Sequence, residues 1–131
     1  MIAFFTNLCD GFAALGVLPK TWTFASGNLK AVTDATQSIS ASQSLPRVLF
    51  AGVVCWQFLA ALLFGWATVS SLSAGLLDWK ATNAAFLVGL GLWAGFLLAD
   101  EMLKQYETEH SHVLFFMAQL LTLVALYTLP S

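Results

Sequence analysis

The stretch Ala99–His112, ADEMLKQYETEHSH, gathers the residue types that could do chemistry. It holds Asp100, Glu101, Glu107 and Glu109, four of the seven acids in the chain, both histidines (His110 and His112) and Lys104, one of five basic residues. Glu107-Thr108-Glu109-His110 has ExxH spacing, which on a continuous helix puts carboxylate and imidazole on one side, and His112 adds a second imidazole. Carboxylate-bridged metal sites need two such motifs and further carboxylates inside a bundle, so a single motif argues against a metal. Two histidines two positions apart at a helix end cannot reach opposite faces of one iron, which argues against haem. No cofactor is predicted from these residues. A bound quinone is the ligand they would suit, with Trp93, Tyr106 and the histidines as aromatic wall and hydrogen-bond donors. The competing reading is a solvated surface, in which Asp100 pairs with Lys104 at i,i+4, Glu101 also lies within reach of Lys104, and the other charges face water. The chain has no Ser-His-Asp order, glycine-rich phosphate loop or nucleophile elbow, and is not expected to be an enzyme by itself.

The elements that position this stretch follow from composition. Of 131 residues, 59% are hydrophobic and 9% charged, where a soluble domain has about 25% charged residues. From Val48 through Leu77 there is no charge at all, a run longer than the roughly 20 residues that cross a bilayer. An all-α, polytopic integral membrane helical bundle is expected, in a bacterial plasma membrane or an organellar inner membrane. The net charge is −2 and the bases Lys20, Lys30, Arg47, Lys80 and Lys104 are scattered, so no patch suits nucleic acid. Cys9 and Cys55 lie far apart in apolar sequence without a CxxC pattern and are expected to be packing residues.

A single membrane domain is predicted, with helices over about 2–18, 47–70, 81–104 and 111–129. Three of these are clear spans, and Met1–Pro19, interrupted by Asn7 and Asp10, supplies a fourth. Lys20–Leu45 is a polar interfacial loop. Its positions Leu29, Val32, Ala35 and Ile39 recur at helical spacing and allow a short amphipathic helix on the membrane surface. Pro46 opens the second span, Thr82 or Asn83 is expected to cap the third, and Pro130 closes the last. Ala61 with Gly65, and Gly91 with Gly95, are small-xxx-small pairs suited to close helix packing. Four spans place Lys20, Lys30, Arg47 and Lys104 on one side and Lys80 on the other, so the loop 20–45 and the bend 100–112 are assigned to the inside face. If the first helix only lies on the membrane, that face is kept and the N-terminus changes side.

Counted inward at the 1.5 Å rise of a helix, Asp10 lies about 13 Å from Pro19, Gln57 about 15 Å from Arg47 and Gln119 about 10 Å from His112. All three reach one depth, where an unpaired amide or carboxylate is costly, so they are expected to meet each other or another chain. Asp10 has no base of this chain at its level.

From Arg47 onward the order of features resembles the bacterial predicted small integral membrane proteins. The residues that carry the likeness are Trp56-Gln57, then GLGLWAGFLLADEM over Gly89–Met102, then the aromatic-containing polar bend and a final apolar helix. The resemblance implies a four-helix membrane protein and no chemistry, because the family has no assigned function. The residues themselves point to a small accessory or anchor subunit of a larger membrane complex, of the respiratory or photosynthetic electron-transport kind, with other membrane subunits and lipids as partners. The acidic excess of the bend suits docking to a basic partner. A quinone- or proton-handling subunit working through Asp10, Asp100, Glu101 and His110 is the alternative. A small transporter comes third, without an internal repeat or broken-helix pair to support it.

Overall fold

The computed structural model describes residues 2–19, 21–37, 42 and 44–128. Among them the chain is all helical, in the order α1 (Ile2–Ala14), α2 (Asn28–Gln37), α3 (Leu45–Ala74), α4 (Trp79–Leu103) and α5 (Tyr106–Thr128). Helices α3, α4 and α5, of 30, 25 and 23 residues, are each long and apolar enough to cross a bilayer. The protein is a polytopic helical membrane protein with three helices of spanning length. Lys20, Ile39, Leu129 and Pro130, which entered the predicted loop and last helix, lie outside the described residues, as do the rest of 38–41 and 43.

Helix α1 departs from the expected fourth span. Its 13 residues reach about 20 Å, against ~30 Å of hydrocarbon. The chain itself sets this end. Gly16 takes the left-handed conformation at φ 77°. The Val17 N–H returns to the Phe12 carbonyl at 2.9 Å and the Gly16 N–H to that of Ala13 at 3.2 Å. That pair of bonds is a Schellman closure, and Pro19 then prevents the helix from resuming.

The described residues fall into two compact units, Met1–Phe58 and Leu59–Ser131. In the first, the polar loop carries helix α2 at the amphipathic positions noted above, with Ala35 and Thr36 buried. Phe4 of α1 packs on Phe58 of α3 with ring centroids 5.4 Å apart. In the second, Ala67 of α3 meets Ala81 and Ala85 of α4, flanked by Leu63 and Phe64. The contact is a small one, made by alanine side chains. Phe64 closes the contact edge-on against Phe86 at 5.2 Å.

Asp78 caps α4, in place of the predicted Thr82 or Asn83. Its carboxylate accepts from the Lys80 and Ala81 backbone N–H groups at 3.1 Å each and from the Ser70 hydroxyl. The Ser71 hydroxyl oxygen in turn accepts from the Asp78 N–H at 3.0 Å. The residue is reserved for the cap because Asp at this position satisfies two orphan N–H groups and favours the positive end of the helix dipole. The Ser70 hydrogen bond first, and that of Ala81 next, hold the Asp78 carboxyl below its usual value of 3.8. At the other end of α4, Lys104 is left-handed at φ 55°, and the Gln105 N–H returns to the Asp100 carbonyl at 2.8 Å. The bend expected over 100–112 is therefore a turn of Lys104 and Gln105 alone, and the residues from Tyr106 onward already belong to α5.

Two outcomes are expected from these ends. Lys104→Gly removes the left-handed penalty of a side chain and should stabilise the protein by about 0.5–1 kcal/mol, whereas Gly16→Ala should destabilise it by about 1 kcal/mol, both measured by unfolding in detergent. The depressed Asp78 carboxyl contributes stability that is complete above the unfolded value of 3.8 and lost as pH falls through the folded value. Acid unfolding of Asp78→Asn should therefore lack the loss of stability that begins as pH falls below 3.8 and is complete past the lower folded value.

Candidate functional site

Gly89, Trp93, Phe96 and Asp100 on α4, and Thr108, His112, Phe115 and Gln119 on α5, recur at alternating spacings of three and four. This spacing keeps a single seam turned toward a neighbouring helix. The contacts follow the seam in antiparallel order. Trp79 stacks on Tyr127 at 4.4 Å, and the Tyr127 hydroxyl donates to Asn83 Oδ1 at 2.8 Å. A Cβ on Gly89 would lie 2.1 Å from Gln119 Nε2, so the Gln119 amide rests on the α4 backbone where a side chain would stand and would have to shift to admit one. Trp93 stacks on Phe115 at 4.9 Å. Asp100 then faces Thr108 and His112.

This last pair is the most chemically organised place in the second unit. Asp100 is buried, 6% exposed. Its Oδ1 accepts from the Thr108 hydroxyl at 3.0 Å, and its Oδ2 lies 2.5 Å from His112 Nδ1. The imidazole is stacked on Phe96 at 4.7 Å and 17°, and the Trp93 ring is 5.9 Å away. A carboxylate on one ring nitrogen fixes both the orientation and the tautomer of an imidazole. His112 Nε2 is thereby the nitrogen left to exchange a proton or hydrogen bond with a bound group.

The other residues of the predicted site are not drawn together. Glu101, Tyr106, Glu107 and His110 are exposed and Glu109 is half-buried. The ExxH pair thus looks outward, and no group of three His, Cys, Asp or Glu among the described residues is placed to hold a metal. Asp100 bonds to His112 and Thr108 instead of pairing with Lys104. Of the predicted aromatic wall Trp93 takes part and Tyr106 does not, while Phe96 and Phe115 complete it. Of the predicted packing positions, Ala61, Gly91 and Gly95 are half-buried and Gly65 is exposed, with open space where its Cβ would be.

The three polar residues expected at one depth have separate partners. Gln119 sits on Gly89 in the second unit, as above. In the first unit Gln57 Oε1 accepts from Asn7 Nδ2 at 2.9 Å. Asn7 Oδ1 accepts from the Ser26 hydroxyl and from Asn28 Nδ2, each at 2.7 Å. Asp10 Oδ2 accepts from the Leu29 backbone N–H at 2.8 Å, at the first turn of α2, and lies 3.3 Å from the Ser26 hydroxyl. Asp10 therefore finds its positive charge in the N-terminal end of a helix dipole and has no need of a basic side chain. Asn7 was the residue the sequence undervalued. Its signal is its place three residues before Asp10, on the same face of α1.

No protein-family model matches the sequence, and no curated protein or solved structure matches it. The likeness to the small integral membrane proteins rests on the residues quoted for it.

The seam and the network should respond differently to substitution. Asp100→Ala and His112→Ala should each destabilise by about 1–3 kcal/mol, and the double variant by less than the sum, because the second change removes a group already left unpaired. Asn7→Leu strands three partners at once and should cost about 2–3 kcal/mol. Unfolding of the four proteins in one detergent measures all of these.

Proposed function

We propose that the protein is a small anchoring subunit of a larger membrane assembly. The observation that carries this reading is α5: a helix of 23 residues in which none is buried by the rest of the chain. Helix α3 is nearly as bare, with 17% of its most apolar window covered. Such surfaces, rich in Leu, Phe, Val and small residues, pack against other membrane subunits as well as against lipid. The open side of Gly65 belongs to the same surface. Asp10 supports neither this reading nor its rival, since α2 satisfies it. Assemblies of the electron-transport kind are the class to test first. In three spans Lys20, Lys30, Arg47 and Lys104 share the inside face and Lys80 lies opposite.

A second reading, proton or quinone handling within that assembly, is favoured by one feature: the buried Asp100 that orients His112 beside Phe96 and Trp93. The chemistry then runs through His112 Nε2, without Asp10, Glu101 or His110.

Native electrophoresis of the gently solubilised protein tests the first reading. Migration well above the 14.1 kDa chain, with other polypeptides in the band, is expected, and a lone monomer or homo-oligomer would overturn it. If an assembly is recovered, His112→Ala should leave its composition intact. Loss of turnover in that variant assigns the second role, and unchanged turnover removes it.

A further inference from the structure

The first unit contains a cavity on the flank of the Asn7 network, with Asn7 itself among its lining residues. Its volume is about 820 Å³, within the roughly 300–1,000 Å³ typical of sites for small molecules. Leu8 and Phe12 of α1 and Leu29 of α2 line one side. The opposite side is a stripe of α3 made by Arg47, Phe50, Ala51, Val54 and Cys55, the i, i+3, i+4, i+7, i+8 pattern of a single helix face.

The stripe is graded from polar to apolar. Arg47 stands in the first turn of α3 and is exposed, and beyond it the sequence carries no charge until Asp78. Its guanidinium therefore sits at the level where a bilayer changes from headgroup to hydrocarbon, and the four residues after it on the stripe descend about 12 Å into the apolar layer. Among the described residues Arg47 has no hydrogen-bond or ion-pair partner. The nearby acids do not supply one: Asp10 is committed to the α2 N-terminus, and Asp34 is exposed on α2 and does not line the cavity. Thr33 and Thr36, which also line it, bond their hydroxyls to the Leu29 and Val32 carbonyls at 2.7 Å. The lining is thus a mainly apolar trough, with Asn7, Gln37 and Ser42 as further polar members, and among the described residues its cation, Arg47, is unpaired at the headgroup end.

We infer that this cavity holds one acyl chain of an anionic phospholipid, with the lipid phosphate against Arg47. A guanidinium bonds phosphate oxygens through a planar fork, which favours this headgroup over a point contact. A zwitterionic lipid brings its own cation to the same phosphate and gains less from Arg47. A free fatty acid offers the same chain with a carboxylate, and it is the competitor in the test.

The test is native mass spectrometry of the full-length protein, delipidated in detergent and then given phosphatidylglycerol, phosphatidylcholine or oleate. One retained phosphatidylglycerol per chain is expected, with about tenfold preference over phosphatidylcholine and over oleate. Arg47→Gln should bring the two phospholipids to within about twofold of each other. Arg47→Lys, which keeps the charge without the fork, should retain only part of the preference. Ala51→Phe, which puts a ring into the trough from an exposed position, should abolish retention. Equal retention of the two phospholipids by the unaltered protein overturns the inference, as does retention indifferent to both Arg47→Gln and Ala51→Phe. Displacement of phosphatidylglycerol by equimolar oleate would assign the cavity to a fatty acid instead. Arg47→Gln lies on the surface and leaves the fold untouched, so the headgroup arm stands even if Ala51→Phe does not fold.

Discussion

Two apolar helices in hydrocarbon gain little from expelling solvent, because lipid tails are as apolar as their side chains. What holds α4 to α5 is therefore close packing and the few polar bonds that cross between them. Each needs the others. The Gln119 amide rests where a side chain on Gly89 would stand. That close approach belongs with the stacking of Trp93 on Phe115. The same register brings His112 over Phe96 and beside Asp100. A carboxylate at the end of a spanning helix is expensive unless its oxygens are engaged. Here both are, by residues one helical turn apart on α5.

The same rule organises the first unit around Asn7. One amide there joins three segments: Gln57 on α3, Ser26 in the loop and Asn28 at the start of α2. Asp10 adds a fourth bond at the α2 N-terminus. Helix α1 is short because Gly16 ends it, and its polar face is turned to anchoring α2. Its role in the fold is that of a bracket for the loop that follows.

The spans were legible because composition alone dictates them: an uncharged run longer than a bilayer is thick has few other uses. The end of α1 was also written in the chain, at Gly16 and Pro19, but the apolar character of the segment outweighed a single glycine. The seam was much harder to see. Helices that are apolar all round carry almost no periodicity, so nothing in α4 alone tells which side meets α5. Glu107 and His110 drew attention because their types and spacing are conspicuous, yet they lie off the seam and face outward. Thr108 and His112 do the work from the next positions along. Asp100 bonds across to α5, whereas sequence spacing offers it a partner within its own helix, Lys104, which is the left-handed residue that ends α4. A sequence counts neighbours along one helix, whereas these bonds join two.

The Gly89 seat has a mechanical consequence. A slip of α5 along α4 by three or four residues would bring Gln119 opposite Phe86 or Trp93, neither of which leaves room for an amide, and would carry His112 away from Asp100. Trp79 with Tyr127 blocks the same movement at the far end. The two helices accordingly behave as one stiff strut about 30 Å long. A displacement applied where Trp79 meets Tyr127 is expected to move His112 with it.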